Sequence, residues 1–211
     1  MAQVLSVNAG TPQQVPVSGG GVLTSIFKTA VSGRVAVRRH NIDGDRQSDL
    51  TVHGGPYKAV YCYPHEHYQY WAKQLPDIEL RSGNFGENLT TEGLLEEEVS
   101  IGDRFRAGSA LLQVTQPRMP CFKLNIRFDR ADMVKRFWRS GRPGIYFAVV
   151  EEGEVAAGDA IVMTEAAAVR ITLSDVVRLH TGQSTDPDLL DRAMRAPLAG
   201  SWKADIMERF G

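Results

Sequence analysis

The chain has 211 residues, 43% hydrophobic and 23% charged, with a formal net charge of −1 at pH 7. That length suits one domain, or one domain with a small appendage, and the apolar fraction supplies a core without a disulfide or structural metal. The near-neutral balance argues against a nucleic-acid-binding polycation. Cys62 and Cys121 are too few for a disulfide framework or a cysteine-only zinc cage.

The opening MAQVLSVNAG lacks the basic flank and apolar run of a signal peptide. No stretch approaches the ~20 apolar residues of a membrane span. The expected compartment is the cytoplasm, where thiols stay reduced.

Short β-branched or aromatic runs bounded by Gly, Pro, Asn or Asp predict strands over 4–7, 22–27, 35–38, 59–63, 110–115 and 145–150. A helix is expected over 65–75, between Pro64 and Pro76. A second is expected over 130–140, with Asp129 as N-cap, Gly141 as stop, and Met133, Val134, Phe137 and Trp138 on its buried face. Ile101-Gly102-Asp103 and Ala157-Gly158-Asp159 repeat a Gly-Asp turn that feeds a strand, a device suited to small barrels.

The texture changes near Val169. Ser174-Asp175-Val176 starts one helix, Asp186-Pro187-Asp188 opens another, and a third over 201–210 carries Trp202, Ile206, Met207 and Phe210 on one side. Three short helices bury little surface alone, so they are expected to pack on the barrel or on a second subunit, and the latter would make a homodimer. The expected division is a β-barrel domain over 1–168 and a three-helix segment over 169–211.

Cys121 stands out by its neighbours, Gln116-Pro117-Arg118-Met119-Pro120-Cys121-Phe122-Lys123. Pro117 is expected to end a sheet ladder, and Phe122 onward can start a helix. A thiol at a helix N-terminus with Arg118 and Lys123 nearby favours thiolate, the form that ligates soft metals or attacks electrophiles. The plainer reading is a buried structural cysteine, and that reading fits Cys62 in the apolar run Val60-Tyr61-Cys62-Tyr63.

Three further segments suit a ligand. His53-Gly54-Gly55-Pro56-Tyr57-Lys58 frees the backbone to approach an anion, though a Gly-Gly pair is often only a hairpin. Gly83-Asn84-Phe85-Gly86-Glu87-Asn88-Leu89 offers amides that suit a purine or pterin edge, or that merely cap their own loop. Arg34 follows Gly33 at a strand start and could aim a guanidinium at phosphate. His65-Glu66-His67 is not a zinc motif, because residues two apart on a helix face different ways.

These features in this order resemble the MOSC domain family, and more closely its stand-alone YiiM-like bacterial branch. The resemblance rests on Ser32-Gly33-Arg34, Gly44-Asp45 with Asp49, His53-Gly54-Gly55 with Lys58, Tyr68 with Trp71, Gly83 through Leu89, Ile101-Gly102-Asp103, and Gln116-Pro117-Arg118 with Pro120-Cys121. The tail, with Ser174-Asp175-Val176 and Trp202, resembles the three-helix segment of that branch. Phe122 stands where Trp is expected, a change of one bulky aromatic for another.

The resemblance implies a mostly β fold, a MOSC-type β-barrel with inserted helices plus the small three-helix segment. It implies a site for the molybdenum cofactor, molybdopterin, with Cys121 either ligating molybdenum or carrying a persulfide. Arg34, His53, Gly54, Gly55, Lys58, Asn84, Phe85, Gly86, Asn88 and Arg118 would bind the cofactor, and His53 and Glu87 would give protons to a leaving hydroxyl. Related members reduce N-hydroxylated compounds, including N-hydroxylated base analogues; others deliver sulfur to the cofactor. A chain of 211 residues leaves no room for a pyridoxal-phosphate desulfurase, which favours the small-molecule reductase, with a redox donor protein allowed. The alternatives are a non-catalytic cofactor or persulfide carrier, and a plain barrel with a structural Cys121. Membrane and nucleic-acid partners are not expected.

Overall fold

The computed structural model describes residues 1–17, 19–48 and 54–210. In chain order the elements are β1 (Ala2–Ala9), β2 (Gln13–Val17), β3 (Gly20–Thr24), β4 (Thr29–Ala30), β5 (Val35–Arg38), β6 (Asn41–Ile42), a 3-10 turn (Pro56–Lys58), β7 (Val60–Pro64), α1 (Glu66–Gln74), β8 (Leu89–Glu92), β9 (Arg104–Ala107) and β10 (Ala110–Pro117). There follow α2 (Lys123–Phe128), α3 (Met133–Arg139), β11 (Ile145–Glu151), β12 (Gly153–Val155), β13 (Ala160–Glu165), α4 (Leu173–Thr181), α5 (Pro187–Arg195) and α6 (Gly200–Phe210).

Seven strands close into a barrel in the order β13-β9-β10-β11-β7-β8-β1, and β1 returns to β13 with Ala2 opposite Ile161. Closure removes the open edges on which another chain could pair. Every barrel pairing is antiparallel except β7 with β8, where Cys62 lies opposite Leu89. Parallel neighbours need a long crossover, and α1 with the loop after it supplies one. That crossover carries residues 83–88 to the end of the barrel where β10 delivers Cys121.

The barrel interior is filled by Val4, Leu89, Leu112, Val114, Ile145, Phe147 and Ile161. A second, aromatic cluster lies under α1, α2 and α3: Tyr63, Trp71, Phe85, Phe128 and Phe137. Trp71 Nε1 donates to the Tyr63 hydroxyl at 2.7 Å, so this buried indole keeps a polar partner.

The two Gly-Asp turns are one device used twice. Gly102 and Gly158 take φ of 94° and 89°, which only glycine adopts without strain. Asp103 Oδ2 accepts from Ser100 N at 2.8 Å and Asp159 Oδ2 from Ala156 N at 2.9 Å, each three residues back. The turns feed β9 and β13, which are neighbours in the barrel.

Three local expectations change. Asp129 is not an N-cap; at φ 49° it is the left-handed C-cap of α2, and α3 begins only at Met133. The buried face survives, because Met133 and Phe137 still point inward. β3 stops at Thr24, so residues 25–27 form a loop instead of a strand end. Pro117 belongs to β10, opposite Ile145, where its missing N–H falls at the strand's last position and interrupts no further ladder.

The tail is locally well specified. Thr172 and Asp175 form a reciprocal capping box at α4, and Asp186 caps α5 with Pro187 in the first turn. Leu173, Val176, Leu179, Leu189, Ala193, Trp202 and Ile206 join the barrel's own core. These side chains pack on the barrel, one of the two expected packings, while Met207 stays exposed.

Candidate functional site

The cysteine loop follows directly from β10. Past Pro117 the chain turns through 118–122, and the Cys121 carbonyl accepts from Leu124 N at 2.9 Å as α2 starts. Cys121 is half-buried and lies on the wall of a cleft enclosing about 590 Å³, its open mouth included.

The charge of the described lining is one-sided. Lys28, Arg46, Lys58, Arg118 and Lys123 face Asp45 alone. Asp45 is already committed: its Oδ2 accepts from Lys28 Nζ at 2.7 Å and from Asn88 Nδ2 at 3.0 Å, and its Oδ1 from Gly10 N at 2.9 Å. Asn88 Oδ1 in turn accepts from Tyr61 N at 3.0 Å, which anchors this network to β7. Burial pulls the Lys28 ammonium below its ordinary range despite the Asp45 partner, and burial also lowers Lys58. Lys123 is buried and donates to Ser48 Oγ at 2.8 Å.

Arg118 is the structural hinge of the site. Its guanidinium lies 4.8 Å from the Tyr61 ring centroid and 5.6 Å from that of Phe137, and it donates to the Phe85 carbonyl. The cation is therefore presented to the cleft from an aromatic seat.

Of the residues expected to bind a ligand, Gly54, Lys58, Gly86, Asn88, Arg118 and Cys121 line the cleft. Gly55 sits beside Gly54 at φ 81° and caps the 3-10 turn that brings Lys58 in. Gly86 has φ 75°, and a Cβ there would meet Ile26 Cγ1 at 3.0 Å, so bare backbone is needed at that wall. His53 and Asp49 lie outside the described residues.

Four expected residues are elsewhere. Arg34 precedes β5, which pairs with β12 in a separate sheet, and its guanidinium is bidentate with Asp159 at 2.9 and 3.1 Å. Asn84 turns back to accept from Arg81 N at 2.5 Å, capping its own loop. Phe85 is a fully buried core ring. Glu87 is 0% exposed and accepts from Gly83 N at 2.8 Å, Phe85 N at 3.1 Å, Thr90 Oγ1 at 2.9 Å and the Tyr68 hydroxyl. It organises the loop from within and cannot reach the cleft as a proton donor.

Lys28, Tyr61 and Tyr146 line the cleft without having been singled out in the sequence, and Arg46, which follows Gly44-Asp45, lines it too. No local motif marks the first three. His67 pairs with Glu96 at 2.7 Å, and among the described residues no group of three His, Cys, Asp or Glu side chains could hold a metal. Cys62 is buried in β7, where burial pushes its thiol well up, as suits a core cysteine.

The closed seven-stranded barrel thus carries a cysteine-bearing, cation-lined cleft. Residues 49–162 match the family model "MOSC domain", and the chain belongs to that family. Within it the chain is YiiM-like: it superposes on the crystal structure of YiiM from Geobacillus stearothermophilus with a TM-score of 0.82 and 31% identity, covering 100% of both chains. It is 40% identical to the protein YflK of Bacillus subtilis (strain 168) over 207 residues, 98% of this chain and 93% of that one. It is 33% identical over 210 residues to a protein of Gibberella moniliformis (strain M3125 / FGSC 7600) named "Reductase", covering 98% of this chain but 37% of that longer one. Among the described residues no helix is long and apolar enough to cross a membrane.

Proposed function

We propose that the cleft holds the molybdenum cofactor, with Cys121 as the protein ligand to the metal, and that the protein reduces N-hydroxylated compounds such as N-hydroxylated base analogues. The observation that carries this reading is Cys121 on the wall of a cleft whose described charged lining is five cations and one carboxylate already paired with Lys28. The donor set fits the group: thiolate is a soft ligand suited to molybdenum beside dithiolene sulfurs. Arg46, Lys58, Lys123 and the backbone at Gly54 suit the phosphate of the pterin tail.

When bound, the cofactor would supply the two-electron chemistry, and the protein supplies binding, orientation and charge. Arg118, fixed on Tyr61 and Phe137, balances negative charge beside Cys121. Membership of the MOSC family and likeness to a longer protein named as a reductase support the redox reading. Residues 1–168 would form the reacting barrel and 169–211 its buttress. Electrons would come from a separate redox donor.

The test is molybdenum and pterin content of protein from a cofactor-making host, with Cys121→Ser alongside, followed by assay on an N-hydroxylated base analogue with reduced viologen. Stoichiometric pterin in both, with metal and activity lost in the variant, supports the reading. Full metal and activity in Cys121→Ser would overturn it. Bound cofactor or persulfide with no turnover would make the protein a carrier.

A further inference from the structure

We propose that Tyr146 is the proton donor of this site, its phenol protonating the oxygen that leaves when the substrate N–O bond breaks. The inference rests on the reductase reading above.

The placement is set by the barrel. β11 holds Tyr146 opposite Gln116 of β10 and opposite Tyr61 of β7, so its ring stands between the strand that leads to Cys121 and the strand behind Arg118. Tyr146 and Cys121 line the same cleft. The Tyr146 and Tyr61 rings lie 4.9 Å apart at 38°, which fixes the phenol's orientation.

Three other proton-bearing groups of this wall are engaged. Lys28 is bound to Asp45, Lys123 to Ser48, and the Tyr61 hydroxyl donates to the Pro143 carbonyl at 2.8 Å. Glu87 is sealed behind the loop. The half-buried Tyr146 side chain, by contrast, has no hydrogen-bond partner for its hydroxyl among the described residues. A phenol on the same cleft as Cys121, with no such partner among the described residues, is available to a substrate oxygen.

The electrostatics suit a donor. Arg118 and Cys121 of the cysteine loop, Lys123 of α2, Lys28 before β4, Asp45 and Arg46 of the loop after β6, and Lys58 of the 3-10 turn line the cleft with Tyr146. The Arg118 guanidinium, on the same cleft, stabilises the phenolate left behind.

The step balances as R–NH–OH + 2 e⁻ + 2 H⁺ → R–NH₂ + H₂O. The N–O bond breaks and an N–H bond forms. Tyr146 gives one proton to the departing oxygen, which leaves as water; the second proton reaches nitrogen from solvent. Two electrons come from an external low-potential donor, reduced viologen in the assay. Solvent at the open mouth reprotonates the phenolate.

Tyr146→Phe removes the hydroxyl and keeps the ring. With holoprotein, the expected result is unchanged pterin and molybdenum, unchanged KM, a kcat lower by about 10²-fold, and loss of the alkaline limb of the kcat profile. With cofactor-free protein carrying ¹³Cζ-tyrosine, the resonance missing in the variant should stay at its neutral-phenol position into the mildly alkaline range. Wild-type turnover with an equally active Tyr146→Phe overturns this inference alone. Loss of pterin or metal in the variant, or a Tyr146 resonance already anionic at neutral pH, overturns it too. A loaded wild type that reduces no N-hydroxylated compound sinks this inference together with the function it rests on.

Discussion

Arg118 donates its guanidinium to the Phe85 carbonyl, so one side chain of the cysteine loop ties down a loop 33 residues earlier in the chain. The same cation is seated over Tyr61 and Phe137. Lysine cannot reproduce a planar fork that both stacks and donates. Arg118→Lys is expected to leave the buried Phe85 carbonyl underserved and to cost about 1–3 kcal/mol in urea unfolding. Pterin retention should fall with it, read by fluorescence of the released, oxidised pterin.

Glu87 holds four donors with two oxygens: Oε1 takes Tyr68, Gly83 and Thr90, and Oε2 takes Phe85 N. Glutamine has one acceptor oxygen, so in Glu87→Gln an amide N–H must face the Phe85 N–H. The expected cost is about 1–3 kcal/mol by chemical denaturation.

The pH dependence of Glu87 has a definite sign. Burial raises its carboxyl above the ordinary 4.5 even against those hydrogen bonds. The folded state then binds the proton more tightly than the unfolded state. Its contribution to stability is complete below 4.5 and is lost as pH rises through the elevated folded value. Urea titrations of wild type should show stability declining over that window, and Glu87→Gln should flatten the decline.

The two thiols should separate cleanly in cofactor-free protein. Cys121 is half-buried on an open cleft, whereas Cys62 is 1% exposed in β7 and burial pushes its thiol up. Iodoacetamide followed by peptide mass mapping is expected to label Cys121 in the native state and Cys62 only after denaturant is added. Native labelling of Cys62 at a comparable rate would contradict this packing.

Trp202 of α6 is 2% exposed within the barrel's own core cluster. Trp202→Ala is expected to destabilise the whole fold by about 3–5 kcal/mol. Calorimetry should show one shifted transition for barrel and tail together; a barrel melting unchanged beside a lost tail transition would show the two to be energetically separate.

Much of this molecule is local in origin and so was legible in the sequence. Alternating or apolar β-branched runs mark β1, β5, β10 and β11, because a strand's neighbours decide its faces at a period of two. Thr172–Asp175 and Asp186–Pro187 mark helix starts, because caps satisfy backbone groups within one turn. The setting of Cys121 and the resemblance it carried belong here also. What only the tertiary structure decided is convergence. Barrel closure brings Lys28, Asp45, Tyr61, Asn88, Arg118 and Tyr146 to one cleft from segments with no shared motif. The same closure draws Arg34 to Asp159, 125 residues away, and turns Glu87 inward. A side chain's partner is set by strand register and barrel order across the whole chain, and no window of neighbouring residues contains that information.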